Sequence, residues 1–285
     1  MSSIINILSS MLCNLSRDES HDYVEYSEME IIKYENGIKT ECVDFIAEEV
    51  PVALIYNGVS HAVMMATPSE LKSFAIGFSL SERIINDIKE IKYIEIINNK
   101  VGVEVHIELQ MRRFMALKER RRNMVGRTGC GLCGVEHLKQ AIKPVSLVLD
   151  TSNINLSVIN QAVKSLYDSQ ILARTTGCTH AAVWLNTVGE VKAVYEDVGR
   201  HIAMDKLIGA RAQNNDLQQG AILITSRASY EIVQKATSVG VEILLAVSAP
   251  TALAIKLADD SGLTLVGFCR EGRAVIYTHK HRILT

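Results

Sequence analysis

Two cysteines separated by two residues form the sharpest chemical motif of this sequence. Cys130 and Cys133 lie in the stretch Arg127-Thr-Gly-Cys-Gly-Leu-Cys-Gly134. Glycine restricts the backbone very little and lets it approach another molecule closely. Thiols at this spacing serve as zinc ligands, as a disulfide-exchange pair or as carriers of sulfur.

The sequence around the cysteine pair does not fit these three uses equally well. A zinc site needs two further ligands, and the only compact source is Cys178-Thr-His180. A disulfide exchanger needs its motif at the head of a helix after a strand, because the helix N-terminus lowers the thiol pKa. Here the motif follows a basic segment instead. A persulfide carrier suits an accessible thiolate near Arg127, and all three uses remain open on this argument alone.

A second set of polar residues follows the segment Thr176–His180. Within Glu196–Lys206 the chain places Asp197, Arg200, His201 and Asp205. Each has a structural explanation, since Asp197 can cap a helix and His180 can be a hydrogen-bonded core histidine. The density of charged groups exceeds what a helix cap needs.

The elements that must position these residues have an α/β pattern. Beyond Pro144, three apolar runs (221–224, 243–247 and 263–266) alternate with two helical segments, Tyr230–Val239 and Thr251–Ala258. Such alternation predicts a parallel sheet with right-handed crossovers.

In open α/β sheets, ligands bind beyond the carboxyl ends of the strands. Serines and arginines follow the three runs. We predict ligand contacts from Ser226, Arg227, Ser248 and the Phe268–Arg273 loop. The first loop opens a helix, where backbone N–H groups favour a phosphate. The absence of a GxGxxG after a strand and of a P-loop disfavours an ordinary dehydrogenase or NTPase.

The pattern of apolar residues in the first half of the sequence predicts a mixed α+β unit. Apolar residues alternate from Val101 to Leu109 and pair with Tyr93–Ile97 as a hairpin, while 68–85 has helical spacing with Ser69 or Thr67 as its cap. From Met111 to Arg127, seven basic residues stand against one acid. This run is either a solvated helix face or a surface for an acidic partner.

Composition narrows the class of protein. The 285 residues allow two domains, and a net charge of −2 argues against a DNA-wrapping or polybasic membrane-binding protein. No apolar run is long enough to span a membrane, the first 22 residues lack a signal-peptide pattern, and six cysteines are few for a secreted disulfide framework. We therefore expect a cytoplasmic protein without nucleic-acid or membrane partners.

A zinc deaminase is disfavoured as well. That chemistry uses His-x-Glu followed downstream by Pro-Cys-x-x-Cys. His180 is followed by two alanines, and the CxxC lies upstream of it.

Together these motifs resemble the FdhD family of formate dehydrogenase accessory sulfurtransferases, over residue 25 to the C-terminus. The matching stretches are RTGCGLCGVE (127–136), TGCTHAA (176–182), EDVGRHIAMDKLIG (196–209), SRASYEIVQKA (226–236), VSAPTALA (247–254) and LTLVGFCREGR (263–273), with PVALIYNG (51–58) and GFSLSE (77–82) upstream.

The resemblance implies a fold and an activity. The fold is α/β, with a cytidine-deaminase-like three-layer C-terminal domain (141–285), a smaller N-terminal α+β domain (23–126), a CxxC linker (127–140) and a terminal extension (1–22). The activity is transfer of persulfide sulfur from a cysteine desulfurase to the bis-molybdopterin guanine dinucleotide cofactor that formate dehydrogenase needs. The resemblance places the persulfide on Cys130, with Cys133 assisting. We expect no metal bound by the protein, because a lone CxxC is a weak zinc signal.

The resemblance also implies the cofactor-binding loop, and GDP is the natural analogue of the cofactor's nucleotide part. That loop consists of Phe268, Cys269, Arg270, Glu271, Gly272 and Arg273. With the cofactor as ligand, we expect His180, Asp197, Arg200 and His201 to hold guanine or phosphate rather than to catalyse. Two other functions remain open, a cofactor-binding or insertion chaperone without sulfur chemistry and a zinc-binding scaffold. The sequence leaves the oligomeric state open, with a homodimer as one option.

Overall fold

The structure is a computed structural model that describes residues 23–125, 147–216 and 218–285. The predicted terminal extension, the CxxC motif and Arg127 lie outside the described residues. The boundary between the two predicted domains also falls outside them and stays a prediction.

The N-terminal half contains a four-stranded sheet with one helix packed on its inner face. Its elements are β1 (Tyr26–Glu35), β2 (Ile38–Ala47), β3 (Val50–Tyr56), β4 (Val59–Ala66), α1 (Leu71–Ser81), a 3₁₀ turn (Ile88–Glu90), β5 (Ile91–Asn99), β6 (Gly102–Leu109) and α2 (Met111–Val125). β1 and β2 form a separate hairpin, while the larger sheet has the order β4-β3-β6-β5.

The predicted hairpin is confirmed, and the predicted helix is confirmed apart from its cap. β5 and β6 pair antiparallel, and alternate residues Val103, Val105 and Ile107 are buried against α1. Helix α1 begins at Leu71, after Glu70 in a left-handed conformation with φ 55°, and no side chain caps it. The predicted cap by Thr67 or Ser69 is wrong, because the Thr67 hydroxyl bonds to Asp197 instead.

The C-terminal half is a three-layer α/β arrangement around a six-stranded sheet. Its elements are β7 (Ile154–Asn155), α3 (Leu156–Ser169), α4 (Ile171–Thr176), β8 (His180–Asn186), β9 (Val191–Asp197), α5 (Arg200–Gln213), β10 (Gly220–Ile224), α6 (Tyr230–Ser238), β11 (Ile243–Ala246), α7 (Ala252–Asp260), β12 (Thr264–Arg270), β13 (Arg273–Ile276), a 3₁₀ turn (Lys280–Arg282) and β14 (Ile283–Leu284).

The six-stranded sheet has the order β13-β12-β11-β10-β8-β9. β10, β11 and β12 are parallel, which confirms the predicted strand–helix–strand pattern. The other three strands join antiparallel, because tight turns connect β8 to β9 and β12 to β13. One face packs on α5, α6 and α7, and the other packs on α3.

The two halves share a closely packed helix pair. This pair is α1 and α5. Where they cross, a Cβ on Gly77 of α1 would lie 1.7 Å from the Asp205 carbonyl oxygen. Likewise, a Cβ on Gly209 of α5 would lie 1.9 Å from the Ser73 carbonyl oxygen. Both glycines are therefore required for the helix backbones to approach this closely. Ile202 of α5 contributes to the core of the N-terminal sheet, so the two halves pack as one body.

Among the described residues, no helix combines the length and apolar character needed to cross a membrane.

Candidate functional site

One edge of the six-stranded sheet brings together the polar residues predicted from the sequence. The parallel strands β10, β11 and β12 all end there. β8 runs antiparallel to β10, so its first residue, His180, lies at this edge opposite the last residue of β9, Asp197. We call this the carboxyl edge. Its members are the starts of β8, β13 and α5 and the ends of β9, β10, β11 and β12.

Backbone hydrogen bonds hold the loops of the carboxyl edge side by side. Ala228, after β10, forms a parallel bridge with Pro250, after β11, and Thr251 N–H donates to the Ala228 carbonyl at 3.1 Å. Phe268 N–H, near the end of β12, donates to the Ser248 carbonyl at 3.1 Å. The predicted loops therefore form one continuous surface.

The exposure of the predicted serines and arginine differs along this surface. Arg227 is exposed, whereas Ser226 is buried and its hydroxyl donates to the Arg227 carbonyl at 3.2 Å. Ser248 is half-buried.

The predicted cofactor loop consists of the end of β12, the two-residue turn after it and the first residue of β13. Phe268 has φ 52°, a conformation that costs energy for a bulky residue. The Arg273 guanidinium lies 4.8 Å from the centroid of the Phe268 ring. Gly272 N–H donates to the Asn160 side chain of α3 at 3.2 Å, and Glu271 pairs with Lys164 at 2.9 Å. Asn160 and Lys164 were not predicted, because nothing in the sequence connects α3 to this turn.

Cys269 points away from this turn into the core. It is fully buried, its Sγ lies 3.8 Å from the Val266 carbonyl oxygen, and burial raises the pKa of its thiol to about 12. Its predicted cofactor contact therefore has to be corrected: in this conformation the side chain is a core group.

Asp197 also lies inside the protein. Its side chain is fully buried, and its carboxylate accepts hydrogen bonds from Thr67, Gly199 and Lys206. A carboxylate with this many partners has no surface for a ligand, which corrects its predicted contact with the cofactor. The alternative, a helix-capping role, is closer to the observed bond with Gly199.

The N-terminus of α5 presents Arg200 and His201. Burial, and then the nearby positive charge of Arg200, lower the pKa of both His180 and His201. The Nε2 of His201 is buried and lies 3.6 Å from a carboxylate oxygen of Glu231. Both imidazoles are therefore neutral near pH 7 and can each donate one hydrogen bond and accept one.

The carboxyl edge has an unbalanced positive charge. Four of its arginines have no carboxylate oxygen within 4.0 Å in the part of the chain that the structure describes. These are Arg200, Arg227, Arg270 and Arg273. By contrast, Arg113, Arg211 and Arg282 each pair with an acid. Unpaired guanidinium groups favour phosphate, whose oxygens they can bind in pairs.

The basic helix α2 is only partly a free surface. Arg113 pairs with Glu90 at 2.7 Å, and Arg120 donates to the carbonyls of Glu82 and Arg83 at 3.3 Å each. The first contact attaches α2 to the 3₁₀ turn before β5, and the second attaches it to the chain just after α1. The predicted partner surface must therefore rely on other residues of the run, such as the exposed Arg112.

The described chain that follows the CxxC motif starts at the opposite edge of the sheet. Val148 N–H donates to the Ser261 carbonyl at 2.9 Å, just after the end of α7. Helix α7 starts beside the carboxyl edge and ends near the start of β12, so Val148 lies at the amino edge. A cavity of about 570 Å³ also lies at that edge, between the ends of α1, α5 and α6. None of the predicted site residues in the described part of the chain lines it.

The fold and its carboxyl edge define a three-layer α/β protein with a positively charged surface at one edge of its central sheet. Residues 47–284 match the family model described as the FdhD/NarQ family. The chain belongs to this family, which confirms the resemblance found in its motifs. A crystal structure of a candidate formate dehydrogenase accessory protein from Desulfotalea psychrophila is similar in fold. Its TM-score is 0.70 at 23% identity, over 92% of this chain and 100% of that chain. The mixed α/β class is confirmed, while the cytidine-deaminase-like assignment stays a prediction.

Proposed function

We propose that this protein carries sulfur in the maturation of formate dehydrogenase. It takes persulfide sulfur from a cysteine desulfurase on Cys130 and delivers it to a bis-molybdopterin guanine dinucleotide cofactor at the carboxyl edge. Family membership supports the role in maturation. The observation that carries the proposal is the group of four arginines, Arg200, Arg227, Arg270 and Arg273, on the edge where α/β proteins bind ligands. In the described part of the chain, none of them has a carboxylate oxygen within 4.0 Å.

The sulfur chemistry can be written with thiols alone. The Cys130 thiolate attacks the terminal sulfur of the desulfurase persulfide, forming one S–S bond as the desulfurase thiolate leaves. Arg127 would stabilise the anionic sulfur. Attack of the Cys133 thiolate on Cys130 Sγ then releases hydrosulfide for the cofactor's metal and leaves a disulfide. An external dithiol must reduce that disulfide before the next cycle.

The length of chain after the motif is compatible with transfer across the sheet. Cys130 precedes Leu147, where the described chain resumes at the amino edge, by 17 residues. That stretch can span at most about 61 Å, whereas a seven-residue strand such as β12 is roughly 23 Å long. The proposal therefore does not require Cys130 to start beside the cofactor.

The carboxyl edge would hold the nucleotide part of the cofactor. Arg200, Arg227, Arg270 and Arg273 would bind phosphate oxygens, and the neutral His180 and His201 would hydrogen-bond to polar groups of the ligand. GDP tests this part, because it reproduces the nucleotide without pterin or metal.

The persulfide itself gives the direct test. After incubation with a cysteine desulfurase and cysteine, we expect mass spectrometry to show an addition of about 32 Da on wild type that reductant removes. The addition should be absent from Cys130→Ser. The buried Cys269 should not carry it, because a thiol with a pKa of about 12 is almost entirely protonated at neutral pH.

The exposed Cys178 provides the matched control, and Cys178→Ser should load sulfur like wild type. An addition that survives Cys130→Ser but disappears in Cys133→Ser would exchange the two roles. Binding of GDP without any addition to wild type would favour the chaperone without sulfur chemistry. One equivalent of zinc in purified protein would favour the scaffold.

A further inference from the structure

Three polar residues meet in the interior between the N-terminal half and the carboxyl edge. Thr67, Asp197 and Lys206 are each fully buried. The Lys206 ammonium lies 2.8 Å from Asp197 Oδ2. A buried ion pair is stable only when its remaining hydrogen-bonding positions are filled.

Thr67 fills those positions from the N-terminal half. Its hydroxyl donates to Asp197 Oδ2 at 2.7 Å and accepts from Lys206 Nζ at 2.7 Å, so it bridges the two charges. Its backbone N–H donates to the same Asp197 oxygen at 3.1 Å. The residue lies directly after β4, 130 positions before Asp197.

The second oxygen of Asp197 shapes the carboxyl edge. Asp197 Oδ1 accepts from Gly199 N–H at 2.8 Å, which closes the turn between β9 and α5. Gly199 is the N-terminal cap of α5, and its carbonyl accepts from Ile202 N–H at 2.9 Å. Arg200 and His201 follow in the first turn of this helix. Their positions therefore depend on the orientation of the Asp197 carboxylate.

We propose that Thr67 is a positioning residue for the carboxyl edge: it fixes Asp197, and through Asp197 it fixes the turn that presents Arg200 and His201 to an anionic nucleotide. The inference rests on the proposed function for the identity of the ligand. Thr67 does not touch the ligand, and the N-terminal half contributes to binding through it.

A second buried cluster across the same interface supplies a matched control. Ser81 donates to Asp205 Oδ1 at 2.7 Å and accepts from Lys235 Nζ at 2.9 Å, so its hydroxyl also bridges a buried acid–lysine pair. Asp205 lies within α5 and makes no hydrogen bond to the turn before this helix in the described chain. Ser81→Ala therefore removes a bridging hydroxyl of the same kind without acting on that turn.

The experiment compares Thr67→Val, Thr67→Ser and Ser81→Ala in the full chain by calorimetry with GDP. Thr67→Val keeps the shape of the side chain and removes the hydroxyl, and we expect about tenfold weaker binding of GDP. Thr67→Ser restores the hydroxyl and should bind within about twofold of wild type. Ser81→Ala should also stay within about twofold, although its thermal midpoint falls as that of Thr67→Val does.

Hydrogen exchange provides a readout that needs no ligand. Amides of residues 199–203 should exchange faster in Thr67→Val than in Ser81→Ala, because only the first change frees the Asp197 carboxylate. If Thr67→Val fails to fold, Thr67→Ala, which leaves room for a water molecule, takes its place.

Unchanged GDP affinity and unchanged exchange in Thr67→Val would overturn the positioning role. Equal losses of affinity in Thr67→Val and Ser81→Ala would overturn it too, since they would reflect general destabilisation. Failure of wild type to bind GDP would overturn the proposed nucleotide site instead, and the exchange data would still decide whether Thr67 positions the turn.

Discussion

Arg270 and Arg273 stand directly opposite each other across the β12–β13 turn. Like charges in such a cross-strand pair destabilise a sheet. The nearby Glu271 does not relieve this, because its carboxylate pairs with Lys164. An anion bound between the two guanidinium groups would remove the repulsion, so the turn gains from binding a phosphate.

Arg273→Ala tests this turn. We expect the affinity for GDP, measured by calorimetry, to fall by at least about tenfold, or 1.4 kcal/mol, because a charge-assisted contact is lost. Arg273→Lys should recover only part of the affinity, since an ammonium cannot reproduce the planar fork of a guanidinium.

Arg112→Ala, at an exposed position of α2 away from the carboxyl edge, is the control and should bind GDP like wild type. Normal binding by Arg273→Ala, or equally tight binding of ADP and GDP to wild type, would contradict this placement of the cofactor. Persulfide formation on Cys130 should survive the Arg273 substitution.

The burial of Cys269 shows where reading single residues from the sequence fails. In a regular strand it would share the face of Leu265, four residues earlier. A β-bulge between Gly267 and Arg270 shifts the alternation, so Cys269 joins the opposite core with Val266. Its position after an apolar run and the family resemblance predicted a loop contact, and no sequence signal marks the bulge.

At the scale of elements, the helix crossing of α1 and α5 depends on two glycines. The glycine at 209 fits because its missing side chain leaves room for the backbone of α1. Helical spacing predicts α1, and a capping role for Asp197 implies a helix after it. Neither observation predicts that the two helices touch, because the contact joins positions more than a hundred residues apart.

Gly209→Ala should lower the free energy of unfolding by about 1–3 kcal/mol, because the added methyl group forces the two helices apart. Chemical denaturation measures this change. The loss exceeds any gain in helix propensity, which is about 1 kcal/mol.

Gln161→Ala, at an exposed position of α3, serves as the surface control, and its effect should stay within about 0.5 kcal/mol. A Gly209→Ala protein as stable as wild type would show that the crossing adjusts more easily than its backbone contacts indicate.

For the whole molecule, strand order was the main feature that the sequence left open. The alternating apolar runs predict the three parallel strands β10, β11 and β12. They do not show that β8 rather than β9 pairs with β10. That pairing places His180 beside the ends of the parallel strands, so the composition of the carboxyl edge was predictable only in part.

At the amino edge of the sheet, Glu242, just before β11, forms hydrogen bonds with the segment that precedes β7. Glu242 is buried, and it accepts hydrogen bonds from Thr151 and from the Ser152 N–H at 2.7–2.8 Å. Burial opposes its ionisation, but these bonds and the charge of Arg282 outweigh burial and lower its pKa.

A lowered carboxyl pKa makes stability depend on pH in a defined direction. The contribution of Glu242 is fully present above the unfolded-state pKa of about 4.3, and it is lost as pH falls through the lower folded-state value. Glu242→Gln should therefore reduce the unfolding free energy by about 1–3 kcal/mol at pH 7 and by less at pH 3. Urea denaturation at the two pH values measures the difference.

Asp150→Asn removes an exposed partner of Arg282, and at pH 7 it should destabilise the protein less than Glu242→Gln does, because solvent screens an exposed ion pair. If Glu242→Gln lowered the unfolding free energy equally at pH 7 and pH 3, the carboxylate charge would not be what stabilises the contact with the segment before β7.

The hydrogen bonds between neighbouring loops of the carboxyl edge have a thermodynamic consequence for any ligand. Phe268 is held by Ser248, and Thr251 is held by Ala228, before a ligand arrives. The conformational entropy of these segments is therefore lost during folding of the chain and need not be lost again on association. A nucleotide that meets this surface uses its contact energy for affinity rather than for ordering the receptor.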